Sequence, residues 1–116
     1  MPLIDVTYGS EIAEEQLLRI AETLPHAVSL AVECPEEPYD GALQPGDVEI
    51  RFHSRGPYDV SGLEVVVEVR SKWFASRAGS RQEGCDRIRD AVIEAVGTRS
   101  VGVYLTVPIA AWSQGA

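Results

Sequence analysis

Pro2 stands directly behind Met1 and opens a stretch, Pro2 to Tyr8, that reads as a β-strand from its first residue. A small second residue favours removal of the initiator methionine, which exposes a secondary amine. Partial burial in an apolar pocket disfavours the charged form of such an amine and lowers its pKa toward neutrality. A base poised near the working pH takes a proton from carbon or oxygen and returns it elsewhere. With Met1 retained the same nitrogen is an amide and no base at all. Proton abstraction leaves an enolate, which calls for a nearby cation. Arg51, on the polar side of a second alternating stretch, is one candidate, since a guanidinium there can grip a carboxylate and stabilise the enolate. The competing reading of Arg51 is a cross-strand ion pair with Glu64 or Glu68. Arg70, at the end of a third stretch, is a further candidate. His26 and His53 are too few and too scattered for a metal site. Cys85 falls within a helical pattern and reads as a small buried hydrophobe rather than a nucleophile.

Four strands and two helices are needed to position these groups. After the first strand, Gly9 and Ser10 break the extended run, and Ser10 is a suitable N-cap for a helix with Glu11 and Glu14 in its first turn. Ile12, Leu17, Ile20, Leu24, Val28 and Ala31 recur at helical spacing, with Pro25 predicting a kink or a short break. The run from Cys34 to Asp47 is rich in Pro and Gly and predicts irregular structure. Val48 to His53 alternates, with Val48, Ile50 and Phe52 on one side and Glu49, Arg51 and His53 on the other. Leu63 to Arg70 alternates again, followed by a loop from Ser71 to Gly79, a helix capped by Ser80 and stopped by Gly97, and a last strand from Val101 to Val107.

The order β-α-β-β-α-β reads as an internal duplication, with repeat one at about residues 2–53 and repeat two at about 63–107 of a single domain spanning 1–116. Glu15, Arg19 and Ile20 find counterparts in Glu83, Arg87 and Ile88 at one constant offset. Right-handed crossovers put both helices on one face of a four-stranded sheet in an α+β fold. The opposite face then carries Glu49, Arg51, His53, Glu64, Glu68, Arg70, Tyr104 and Thr106. Such a face is either solvated or lines a polar interior shared between subunits.

The opening PLIDVTYGS, followed by helix, strand and a second such unit, resembles the tautomerase superfamily. Pro25 inside the first helix, the stretch SRQEG at Ser80 to Gly84 and the loop before it make the 5-carboxymethyl-2-hydroxymuconate isomerase branch the nearer likeness, and the macrophage migration inhibitory factor branch a more distant one. The resemblance implies a trimer of two-block subunits whose sheets surround a central channel, a catalytic N-terminal proline and no cofactor. It also places anion-binding basic residues in the loop before the second helix, here Lys72 and Arg77, whose other reading is solvated loop charge. By its place in the last strand Tyr104 resembles a pocket residue that one subunit lends to its neighbour in that family, its other reading being a packing side chain with a hydrogen-bonded hydroxyl. The alternative architecture is an unrelated ferredoxin-like βαββαβ domain. The resemblance also implies an arginine directly after the first strand in short-chain members and a water-activating acid near the end in the dehalogenase branch. Here Gly9 and Ser10 follow that strand and no acidic residue follows Glu94, departures that favour keto-enol or double-bond isomerisation over hydrolytic dehalogenation.

Composition narrows the partners. A net charge of −8 over 116 residues argues against nucleic acid, whose phosphates need a basic face. Any small anionic substrate must therefore be drawn by a local cluster of cations. Cys34 and Cys85 are far apart and form no CxxC, which suits a reducing compartment and no metal knuckle. No apolar run approaches a membrane span and no signal region precedes the first strand, so the expectation is a cytoplasmic protein.

Overall fold

The computed structural model describes residues 2–37 and 47–115. Its elements are β1 (Leu3–Tyr8), α1 (Glu14–Ala31), β2 (Glu49–Ser54), β3 (Val65–Arg70), α2 (Ala75–Gly79), α3 (Arg81–Val96) and β4 (Val101–Thr106). The strands form one sheet in the order β2-β1-β3-β4. The pairs β1–β2 and β3–β4 are parallel, and β1 and β3 join the two halves antiparallel. Each β-α-β unit therefore closes with no strand inserted between its two strands, which separates this sheet from the split β-α-β arrangement of ferredoxin-like domains. The irregular structure expected over 38–46 falls outside the described residues.

Alternation decides what each strand buries. Ile4 and Val6 of β1 and Val65, Val67 and Val69 of β3 are all essentially inaccessible, and they meet Ile20, Leu24 and Val28 of α1 and Ile88 and Val92 of α3 in one core. Both helices thus cover the same face. They cross closely because Gly84 has no side chain: a Cβ there would stand 2.6 Å from the carbonyl oxygen of Ala31 and 3.4 Å from Cδ2 of Leu105. Gly84→Ala sets a helix-propensity gain of about 1 kcal/mol against an overpacking cost of about 1–3 kcal/mol. Since the obstructing atom is backbone, the cost prevails. Chemical denaturation should show a net loss of up to about 2 kcal/mol.

The helix ends differ from the sequence reading. Ser10 does not cap α1, which begins only at Glu14. Gln16 supplies the cap from inside the helix, its Oε1 accepting the Ala13 N–H at 2.7 Å while its Nε2 donates to the Val96 carbonyl at 2.7 Å. One amide thereby satisfies a free donor at the start of α1 and a free acceptor at the end of α3. Pro25 causes no break, because α1 runs unbroken from Glu14 to Ala31 with Pro25 buried inside it. Ser80 stands at the start of α3 without a side-chain capping bond, its hydroxyl donating to the Ser76 carbonyl instead. The Ser71–Gly79 loop contains the short helix α2. Gly97 ends α3 in the left-handed region at φ 78° and donates to the Ile93 carbonyl at 2.8 Å, as the expected glycine stop requires.

Candidate functional site

The face of the sheet away from the helices is ordered in three rows, each crossing all four strands. At the Pro2 end lie Glu49, Leu3, Arg70 and Thr106; in the middle Arg51, Asp5, Glu68 and Tyr104; at the far end His53, Thr7, Val66 and Gly102. The organising group is Asp5. Its Oδ2 accepts from Arg70 NH2 at 2.7 Å and its Oδ1 pairs with His53 Nε2 at 2.8 Å, and its side chain is only 12% exposed. Asp5 is not among the site residues expected from the sequence. Its signal is being the one charged residue of β1, placed between Ile4 and Val6 and therefore turned away from the core. The strand order also corrects the neighbourhood of Arg51: β1 separates β2 from β3, so the residue opposite Arg51 is Asp5 rather than Glu64 or Glu68. Arg51 is exposed, and no hydrogen bond or ion pair engages its guanidinium among the described residues.

Pro2 is buried, and its carbonyl accepts the Glu49 N–H at 3.2 Å. The antiparallel register pairs Leu3 with Arg70, which brings Ser71 beside Pro2 and Lys72 just beyond. Of the expected cations, Arg70 and Lys72 therefore lie at the Pro2 end, and Arg51 one row further along β2. Arg70 is already paired with Asp5, but a partly exposed ion pair of this kind is worth about 0–1 kcal/mol. A substrate carboxylate can compete for it. Tyr104 is 70% exposed on β4, the sheet edge opposite Arg51. Three strand spacings, about 14 Å, separate these two edges, so Arg51 and Tyr104 do not converge on one small molecule within a single chain.

Arg77 is placed quite differently from a solvated or substrate-facing loop cation. It is 1% exposed. Its Nε donates to the Val32 carbonyl at 2.7 Å, and its NH1 donates to the Lys72 carbonyl at 2.6 Å and to Glu37 Oε2 at 3.2 Å. Its guanidinium also lies 5.3 Å from the ring centre of Phe74. A buried guanidinium needs such a full set of acceptors to offset its desolvation. Every contact named here is with the protein itself.

The turn after α1 contributes a second hold on the same segment. Glu36 Oε2 accepts the Ser76 N–H at 3.2 Å. Hydrogen bonds from its own backbone N–H and then from that of Ser76 hold the Glu36 carboxyl below its ordinary value. With the folded pKa lowered, this contribution is fully present above the unfolded carboxylate range and is lost as pH falls through the folded pKa. Glu36→Gln should therefore lower stability most near pH 7, where the contribution is fully present, and progressively less on the acid side of about pH 4.3, so that the loss with falling pH is shallower in the variant than in wild type. Urea midpoints measured across pH 3 to 7 report this directly.

Burial, ahead of any charge nearby, raises the Cys85 thiol pKa, and its Sγ–H donates to the Val103 carbonyl at 3.1 Å; the side chain is only partly buried, short of the buried hydrophobe expected from the helical pattern. Among the described residues no group of His, Cys, Asp or Glu is arranged to hold a metal ion, and no helix is long and apolar enough to cross a membrane. A cleft of about 400 Å³ between the end of α1 and the start of α3 is lined by Leu30, Cys34, Ser80 and Arg87 among others and holds none of the expected site residues.

No protein-family model matches the sequence, and neither does any curated protein. Solved structures do match over nearly the whole chain. The fold superposes on a malonate semialdehyde decarboxylase with a TM-score of 0.66 at 16% identity, covering 98% of this chain and 91% of that one. A fused 4-OT described as a symmetric trimer matches with a TM-score of 0.63 at 16% identity, over 92% of this chain and 85% of that one. A macrophage migration inhibitory factor-like protein from Entamoeba histolytica matches with a TM-score of 0.61 at 14% identity, over 93% and 89%. These likenesses spread over several branches and do not single out the 5-carboxymethyl-2-hydroxymuconate isomerase branch. Two unsplit β-α-β units, one mixed sheet and both helices on a single face give this chain a tautomerase-like α+β fold, shared with these solved structures.

Proposed function

We propose that this chain is a cofactor-free tautomerase or isomerase in which Pro2, its nitrogen freed by loss of Met1, moves a proton on a small 2-hydroxy-dienoate or 2-oxo acid. The observation that carries this reading is the place of Pro2, buried at the sheet end where Arg70 and Lys72 leave the neighbouring strand. In this mechanism the amine takes a proton from the enol oxygen or the adjacent carbon, the cations stabilise the anion so formed, and the ammonium returns the proton at another carbon. The structural relatives support the choice of chemistry: one is named for 4-OT, another was studied with the proline at its first position changed to alanine, and a third was inactivated by 2-oxo-3-pentynoate.

The separation of Arg51 and Tyr104 supports a homotrimer. Residues on opposite edges of one sheet serve a common site only when the edges of two subunits meet, which is also how a domain of this size gains burial. A second reading, a trimeric binding or structural protein that keeps the fold without the chemistry, is favoured by Asp5 and Glu68 at the centre of the polar face and by the Asp5–Arg70 pair. Intact-mass analysis combined with ketonisation of 2-hydroxymuconate or phenylenolpyruvate separates the two. The enzymatic reading expects a mass lacking one methionine and measurable turnover. A free proline terminus with no turnover on either substrate establishes the binding reading instead.

A further inference from the structure

We propose that Arg77, Glu37 and Phe74 are positioning residues that fix Lys72 beside Pro2, making Lys72 the group that meets a substrate carboxylate; this deepens the isomerase reading and rests on it.

The segment leaving β3 is held from both sides. On the β4 side, the Ser71 N–H donates to the Thr106 carbonyl at 3.1 Å and the Trp73 N–H to the Pro108 carbonyl at 2.8 Å, so the parallel pairing pattern continues past the ends of both strands. On the other side, the carbonyl of the intervening Lys72 accepts from Arg77 at 2.6 Å. The same guanidinium reaches the end of α1 through Val32 and the following turn through Glu37, so Lys72 is tied at its main chain to the helix layer and not merely to its own loop. The side chain is restrained as well. Two cations approach the Phe74 ring, with Lys72 Nζ 5.7 Å and Arg77 Cζ 5.3 Å from its ring centre, each attracted by the ring face. A flexible lysine otherwise loses much rotamer freedom when it binds an anion. Here part of that freedom is removed in advance, which is the economy that preorganised sites use. Arg77 itself is buried, so its influence on a ligand passes through Lys72.

This arrangement is tested by a double-mutant cycle on the native full-length protein. Arg77→Lys keeps the charge, but a single ammonium lacks the planar fork that serves Val32, Lys72 and Glu37 together. We expect it to raise KM for 2-hydroxymuconate about tenfold with kcat changed far less, as loss of one charge-assisted contact would. Phe74→Leu should act in the same direction and serves if Arg77→Lys does not fold. In a Lys72→Ala background both effects on KM should vanish, because the group they position is gone. Equal effects of Arg77→Lys or Phe74→Leu with and without Lys72 would overturn the proposal, since a merely structural role acts in either background. Calorimetric titration of cis,cis-muconate into the Pro2→Ala protein repeats the cycle without catalysis. Coupling there together with no turnover in the native protein would sustain the positioning role and sink the isomerase reading, whereas failure of that anion to bind would sink the positioning role alone.

Discussion

Replacing Pro2 by alanine is expected to lower kcat for ketonisation of 2-hydroxymuconate by about 10²–10⁴, the usual contribution of a general acid–base group. KM should change little, because the loss falls on the step in which the proton moves. The substitution is mild in every other respect. The Pro2 carbonyl, which accepts the Glu49 N–H, is retained by alanine, and a residue ahead of β1 breaks no ladder bond when its ring is removed. Circular dichroism and the oligomer mass should match wild type. What is lost is a rigid secondary amine, replaced by a primary amine that is freer to rotate and better hydrated. Both proteins must first be shown by mass to have a free second-residue terminus. Equal rates in the two would remove Pro2 from the mechanism and leave the cations at the sheet end without a base to serve.

The largest effects on stability should come from Ile20→Ala and Ile88→Ala. Both side chains are fully buried and occupy equivalent places in the two β-α-β units, one on α1 and one on α3, against the same sheet face. Truncating a buried isoleucine to alanine removes its transfer energy and leaves a void that rigid strands do not fill, a cost of about 2–5 kcal/mol. Against a total stability of about 5–15 kcal/mol for a domain of this kind, either change should unfold a substantial fraction of the protein under mild denaturant. Glu15 and Glu83, also equivalent, are exposed, and their replacement by alanine should shift the midpoint by about 0.5 kcal/mol or less. Urea denaturation of the four variants tests the duplication as a physical statement: the core pair should match each other, as should the surface pair. A tolerated Ile88→Ala beside a damaging Ile20→Ala would show that the two halves do not share one core.

The polar face divides the legible from the illegible most clearly. Alternation assigned Glu49, Arg51, His53, Glu68, Arg70, Tyr104 and Thr106 to it, because a period of two leaves no choice once one side is apolar. It could not say which of them are neighbours. That depends on strand order, and only the insertion of β1 between β2 and β3 puts Asp5 within reach of both His53 and Arg70. Arg77 is the sharper case. In sequence it is one basic residue in a loop, indistinguishable from Lys72; in the fold it is buried beneath that loop while Lys72 is exposed.

Periodicity and composition, being local, determined the order of the four strands and two long helices but not the short α2, the inward residues of each strand, the glycine stop at Gly97 and the doubling of the β-α-β unit. Tertiary structure alone decided that Pro25 sits inside an unbroken α1, that Gln16 rather than Ser10 completes its start, and that Glu36, Glu37 and Arg77 bind the turn after α1 to the segment beyond β3. The last of these, like the bond from Gln16 to the end of α3, depends on partners 40 or more residues apart, and no local pattern records which distant donor meets which acceptor until the packed core has fixed the elements in space.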